Sequence, residues 1–279
     1  MKGGLSITVL AEDTAHGKGY LAEHGLAFWI EIGGRRILFD TGQGLVLEHN
    51  ARRLGVDLCA ADAIVISHGH YDHTGGLVTA LAAAPAAEIF LHPAALEPKY
   101  VKGVRALHLY AGIPDLKESV PIICDRNPTY TKVPTEIAPG VHVTGEIPRE
   151  NDFEDTGGPF YLDPECTKPD SLADDQALLI ELRDGVLVVL GCAHAGTVNT
   201  LDYAAQLLGG RSIIAVVGGM HLIRAGQTRL DQTVAALKRY GVKWVGPCHC
   251  TGQTAITELR TRLPERCHEV VVGARLEFS

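Results

Sequence analysis

The chain has 279 residues, 46% of them hydrophobic and 21% charged, a balance that suits a globular protein with a sizeable core and excludes a disordered one. A formal net charge of −8 without a dense Lys/Arg run excludes a surface built to track nucleic-acid phosphates. No apolar run approaches a bilayer crossing, and the stretch Met1 to Leu10 is broken by Gly and Ser before Glu12 and Asp13, unlike a secretory leader. The expectation is a cytoplasmic protein with neither nucleic-acid nor membrane partners, folded as one domain over residues 1–279. Seven cysteines form no paired framework and read as mostly reduced. The thirteen histidines matter more, because neutral imidazole is a preferred ligand for zinc and related metals, and bound cations would offset part of the negative charge.

In chain order, Ala27 to Ile32, Gly33-Gly34 and Arg36 to Gly42 read as a β-hairpin. A helix over Leu45 to Leu54 follows, then an apolar strand Ala63 to Ile66 that ends in His68-Gly69-His70. A segment from about 97 to 175 has poor periodicity and many turn residues, among them Asn127-Pro128, Pro139-Gly140 and Gly157-Gly158-Pro159. It is too long for a plain connector and reads as a partly ordered lid. The first pattern then returns at an offset of about 150 residues. A hairpin runs over Ala177 to Leu182, Asp184-Gly185 and Val186 to Cys192, a helix over Val198 to Leu208 stops at Gly209-Gly210, and a strand Ile213 to Val217 ends in Gly218-Gly219-Met220-His221. His70 and His221 fall at matching positions. Two such halves with helices on their outer faces predict an α/β architecture, a four-layer αβ/βα sandwich with a cleft along one edge.

The strongest chemical signal is Ser67-His68-Gly69-His70-Tyr71-Asp72-His73, directly after a buried strand. Packing gives no reason to gather three imidazoles and a carboxylate there, whereas metal binding does. Two adjacent ions would be served, one by His68 and His70, the other by Asp72 and His73. Zinc is the first choice for both ions, and the harder carboxylate leaves manganese or iron as alternatives. A lone His92 after Ile89-Phe90-Leu91 either lines the cleft or is structural, the commoner role of such a histidine.

This run resembles the signature of the metallo-β-lactamase superfamily, whose fold is a duplicated αββα sandwich. Asp40-Thr41-Gly42 matches that family's early strand-end motif, which implies that Asp40 lies beneath the metals and orients a histidine ligand, with a turn or N-cap role as the alternative. Glu23-His24-Gly25-Leu26, Gly145 to Arg149, Asp174 to Leu178, Gly191 to Gly196, Gly218 to Leu222 and Pro247 to Gly252 are similar to one subgroup. That subgroup is named for a synthase joining a dihydropterin to ribofuranosylaminobenzene phosphate in methanopterin biosynthesis. The chain departs from the commoner superfamily pattern twice. No Gly-His-Thr-Pro-Gly motif precedes the second hairpin, and Gly191-Cys192 stands where a metal-bridging Asp is usual. The resemblance implies His194 as the ligand that completes the first site and His249 as the last ligand of the second. Cys192 is then either a thiolate approaching the metals or a small buried residue. His221 rivals His249, hydrogen-bonds substrate or stabilises an oxyanion, or serves the core. Cys248 and Cys250 flank His249 without the spacing of a separate structural zinc.

The function these residues imply is a metal-dependent hydrolase acting on a small phosphorylated or ester substrate through a metal-bound hydroxide that Asp72 steers. His24, Arg149, Arg224 and the Thr251-Gly252 turn are the substrate-contact candidates, the arginines and the turn as phosphate holders. Two other classes compete: the pterin synthase, with the metals polarising a leaving diphosphate, and a non-catalytic metal-binding sensor. A nuclease would need a basic extension that the chain does not offer.

Overall fold

A computed structural model describes residues 4–103 and 108–279. Residues 1–3, at the start of the amino terminus read above, and 104–107, inside the 97–175 segment, lie outside the described residues. The chain forms two compact units. One runs to Lys132 and adds Pro159–Asp174 and Val271–Ser279; the other is made of Val133–Gly158 and Asp175–Val270.

The first unit begins with strands β1 (Leu5–Ala11), β2 (Ala27–Ile32) and β3 (Arg35–Phe39), helix α1 (Leu47–Leu54) and strand β4 (Ala63–Val65). Helices α2 (Tyr71–Thr74) and α3 (Leu77–Ala83) and strand β5 (Glu88–Leu91) follow. Strands β6 (Tyr100–Lys102) and β7 (His108–Tyr110), helix α4 (Leu116–Asp125) and strand β8 (Thr129–Tyr130) come next. The second unit opens with β9 (Thr135–Ala138) and β10 (Val141–Val143), after which β11 (Phe160–Tyr161) belongs to the first. The second unit continues with β12 (Leu178–Leu182), β13 (Gly185–Leu190), α5 (Thr197–Leu207), β14 (Ile213–Gly219), α6 (Gln227–Arg239), β15 (Trp244–Cys248) and α7 (Gln253–Arg262). Strand β16 (Arg275–Phe278) returns to the first unit, where it pairs with β1.

Each unit is built on one large sheet. The order in the first is β16-β1-β2-β3-β4-β5-β8, and in the second β15-β14-β13-β12-β10-β9. In the first, β1, β2 and β3 are antiparallel neighbours and β3, β4 and β5 are parallel. The second repeats this sequence of pairings with β10, β12 and β13 antiparallel and β13, β14 and β15 parallel. The repeat inferred from the two hairpins is therefore present as topology. Gly33 and Gly34, both at positive φ, close the first hairpin as a two-residue turn of the kind that matches strand twist. Its register sets Trp29 opposite Leu38, and the second hairpin sets Leu179 opposite Val188.

Alternation along the strands sends one face of each sheet to its helices. In the first unit Trp29, Leu38, Ile64 and Ile66 pack with Leu47 and Ala51 of α1 and Leu77 and Leu81 of α3. In the second, Leu179, Val188, Leu190 and Val216 pack with Leu201 of α5, Val234 and Leu237 of α6 and Leu259 of α7. Helix α1 ends at Gly55, whose left-handed φ of 71° lets its N–H cap the carbonyls of Ala51 and Arg52. Helix α4 lies in the stretch where the sequence shows no helical period, because Pro121 interrupts the pattern and exposed Ile122 blurs its apolar face. Among the described residues no helix is long and apolar enough to cross a membrane.

Leu201→Ala, at a fully buried position, is expected to cost about 2–5 kcal/mol, whereas Leu45→Ala, at 75% exposure, should stay within about 0.5 kcal/mol. Urea unfolding of both variants checks this, and equal losses would contradict the assignment of the core.

Candidate metal centre

Strand β4 delivers Ser67-His68-Gly69-His70 to the head of the one-turn helix α2, for which His70 is the N-terminal flanking residue in extended conformation. Ser67, His68, His70, Asp72 and His73 are all buried. Asp40, just after β3 and at a left-handed φ of 57°, organises them. Its Oδ1 accepts the Ser67 N–H at 2.7 Å, and its Oδ2 accepts Ser67 Oγ–H and His73 Nδ1–H, each at 2.7 Å. The Ser67 oxygen, having given its proton to Asp40, accepts from His68 Nδ1 at 2.9 Å. With both Nδ1 atoms engaged as donors, the Nε2 atoms of His68 and His73 carry the lone pairs. His68 Nε2 lies 3.0 Å from His70 Nδ1, a separation at which two nitrogens share one proton or bind one cation with Zn–N distances of about 2.0–2.1 Å. Asp72 Oδ2 lies 3.9 Å from His73 Nε2 and 3.3 Å from Nε2 of the half-exposed His24, whose Nδ1 pairs with Asp13 at 2.9 Å. Burial, reinforced by the nearby Lys99 charge, pulls the His70 pKa down to about 3 against the opposing pull of Asp72. The ring is thereby held in its neutral form.

Sequence reasoning missed the polar brace behind this loop. Lys99 is completely buried, and its Nζ reaches Asp170 at 2.9 Å and Asp174 at 3.0 Å. Asp174 uses its other oxygen to accept the Gly69 N–H at 2.7 Å. One turn further on, Tyr71 N–H donates to Ala111 O, and Ala111 N–H donates to Lys99 O. The histidine loop is thus tied at two amides to the segment that carries Lys99. Gly69 has to be glycine here, since a Cβ would sit 2.3 Å from Ala95 O. Burial pushes the Asp174 carboxyl up and the Lys99 ammonium down, but their mutual charge reverses both shifts, so Asp174 lies below and Lys99 above its ordinary range. A buried lysine flanked by two aspartates seventy or more positions later has no short-range signature.

In the second unit, His194 follows β13, and its Nδ1 donates to Thr156 O at 2.8 Å, so that Nε2 carries the lone pair. Its ring lies 4.3 Å from that of His221, and its carbonyl accepts from Arg149 Nη1. Asp175 accepts the Ala195 N–H at 2.7 Å and steadies the same turn. His221 and His249 both sit at left-handed φ, 45° and 50°, beyond the ends of β14 and β15. Cys192 and Cys250 are buried, and Cys250 Sγ lies 3.6 Å from Cys192 O. Burial alone would push the Cys250 thiol up, but the Cys192 hydrogen bond and the neighbouring His249 and His221 bring it well below the usual thiol range.

The remaining candidates fall elsewhere. Thr251 is fully buried, and its hydroxyl accepts the Met220 N–H at 3.0 Å, so its side chain serves the turn. Arg224 is exposed on the loop after β14. His92 caps a short turn by accepting the Ala94 N–H at 3.2 Å.

The chain is similar to known proteins along most of its length. Residues 21–204 match the metallo-beta-lactamase superfamily, and the chain belongs to that superfamily. It is 30% identical, over 98% of its length and 97% of the other's, to the 7,8-dihydropterin-6-methyl-4-(beta-D-ribofuranosyl)-aminobenzene-5'-phosphate synthase of Methanocaldococcus jannaschii. Among solved structures it is 31% identical to Tm1679, described as a metal-dependent hydrolase of the beta-lactamase superfamily, with a TM-score of 0.84 and 99% of each chain covered. The metallo-beta-lactamase fold protein YhfI from Bacillus subtilis covers 99% of this chain and 100% of its own, with a TM-score of 0.61 at 12% identity, a likeness of fold alone.

Lys99→Met is expected to cost about 3–5 kcal/mol at neutral pH, because two buried carboxylates lose their counter-charge. Without Lys99, burial governs Asp174 and raises its folded pKa above the unfolded one. A raised carboxyl pKa leaves the folded state least penalised below the unfolded pKa and most penalised once pH passes the folded pKa. The deficit against the unaltered protein should therefore shrink on acidification into the carboxylate range. Urea unfolding at neutral and acidic pH reads this, and a deficit independent of pH would contradict it.

Proposed function

We propose that the protein is a metal-dependent hydrolase acting on a small phosphorylated or ester substrate at a dinuclear centre. The observation that carries this reading is the buried cluster of His68, His70, Asp72 and His73, with two ring tautomers set by Asp40 and Ser67. Neutral imidazoles with prearranged lone pairs and one carboxylate fit divalent transition metals, zinc first and manganese or iron as alternatives. Within the first unit, His68 and His70 would hold one ion, and Asp72 and His73 the other. Ions held there would supply Lewis acidity and activate water near neutral pH.

The chain's own groups do the rest. The buried histidines keep bulk water from the reacting atoms, and Asp72 presents a carboxylate oxygen that can accept a proton. His24, between Asp72 and Asp13 and half exposed, is placed to carry that proton to solvent. Arg149, anchored on the His194 carbonyl, offers a guanidinium to an anionic substrate.

A second reading, condensation of a dihydropterin diphosphate with ribofuranosylaminobenzene phosphate, is favoured by the identity to the Methanocaldococcus synthase along nearly the whole chain. Both readings use the same metals.

Metal analysis and turnover of the zinc- or manganese-loaded protein on phosphodiesters, lactones and thioesters tests the first reading. Hydrolysis is expected, with Asp72→Ala and His73→Ala each losing one metal equivalent and about 10²–10⁴-fold in kcat/KM while far-UV circular dichroism is retained. Release of diphosphate from the pterin pair, with no hydrolysis across the panel, would replace the hydrolase by the synthase. Full metal content in both variants would contradict the division of ligands.

A further inference from the structure

The three neighbouring parallel strands of the second unit end side by side. Leu190 of β13 pairs with Gly218 of β14, and Gly219 of β14 pairs with Cys248 of β15. Just past those ends the strands supply Cys192, His221 and Cys250, and one ligand atom from each lies within 4.8 Å of the other two. Register therefore gathers two thiols and an imidazole that stand far apart in sequence. Both thiols are buried, at 3% and 6% exposure, while His221 is partly open.

The surroundings hold this group in place. His221 Nε2 lies 3.3 Å from Gly157 O, so it is the N–H of the ring and Nδ1 carries the lone pair. A Cβ at Gly157 would overlap the His221 ring, and one at Gly219 would sit 2.5 Å from Cys250 Sγ, so two glycines make the room these side chains occupy. Thr251 Oγ1 accepts the Met220 N–H and Cys250 O accepts the Ile223 N–H, which ties the turn bearing His221 to the turn bearing Cys250.

We propose that Cys192, His221 and Cys250 form a soft-donor site for a thiophilic divalent cation such as zinc or cadmium. The site goes beyond the hydrolase reading, because it brings in Cys250 and joins it to Cys192 and His221, which are candidates for the dinuclear centre by resemblance but are not among the ligands assigned there. Two thiolates, one imidazole and an exchangeable fourth position make a recognised tetrahedral zinc donor set. Thiolates select zinc and its soft congeners over manganese or magnesium. A thiol that is still protonated would give up its proton to solvent as its sulfur–metal bond forms.

Cobalt(II) titration of the full-length, metal-stripped and reduced protein is the test, since thiolate-to-cobalt charge transfer gives a near-ultraviolet band that histidine and carboxylate ligands do not. The band is expected in the unaltered chain and in Cys59→Ser, and is expected to be lost or strongly reduced in Cys250→Ser and His221→Ala. Because these variants could lose their fold, a second measurement uses the unaltered protein. Cadmium should slow alkylation of Cys192 and Cys250 roughly tenfold or more, read by peptide mapping, while the exposed Cys59 and Cys124 react as before. No charge-transfer band, a band of full intensity in folded Cys250→Ser, or unchanged alkylation of Cys250 would each overturn the proposal. The hydrolase reading would survive any of these outcomes.

Discussion

The arrangement of the first unit depends on one buried carboxylate. Asp40 is fully buried and accepts three hydrogen bonds at 2.7 Å. Those bonds offset its desolvation and at the same time choose which nitrogen of His73 carries the proton. Through the Ser67 hydroxyl the same carboxylate makes that choice for His68. One acid at the end of β3 thereby aims two imidazoles from the loop after β4, the neighbouring parallel strand. The left-handed backbone of Asp40 is the local strain that this geometry demands.

A second buried acid supports the same loop. Asp174 grips the Gly69 amide, and Lys99 neutralises Asp174 together with Asp170. The two devices act on different parts of the loop. Asp40 sets tautomers and ring directions, while the Lys99 brace fixes the backbone between His68 and His70. In the second unit the equivalent work falls to main-chain carbonyls, Thr156 O for His194 and Gly157 O for His221. Both come from one short stretch, and Glu154 binds the first amides of α5 nearby, so a few consecutive residues order that half of the chemistry.

What could be read from the chain follows from the range of the interactions. The hairpins, the helices at Leu47–Leu54 and Thr197–Leu207 and the strands before His68 and His221 have local signatures, apolar runs broken by Gly-containing turns, and their ends lie within three residues of where the sequence places them. The H-x-H-x-D-H loop is legible because its donors are contiguous. Strands β6 to β11 were not, since they are two to four residues long and part of each is polar or exposed. Lys99 with Asp170 and Asp174, and Cys250 with Cys192, escaped notice for a different reason: charge pairs and thiol pairs between distant positions are set by strand order. Thr251 looked like a phosphate contact because it sits in a Gly-containing turn, but its hydroxyl is taken up by the Met220 amide.

The central claim is that the Asp40-aimed imidazoles and Asp72 hold metal ions. Anomalous diffraction from crystals grown with zinc, recorded on both sides of the zinc absorption edge, tests it most directly. The account predicts two edge-dependent peaks at this loop, one bonded to His68 and His70 and the other to Asp72 and His73, besides any zinc held by Cys192, His221 and Cys250. Crystals whose zinc peaks lie elsewhere, with the His68–His73 loop ordered and free of them, would contradict it.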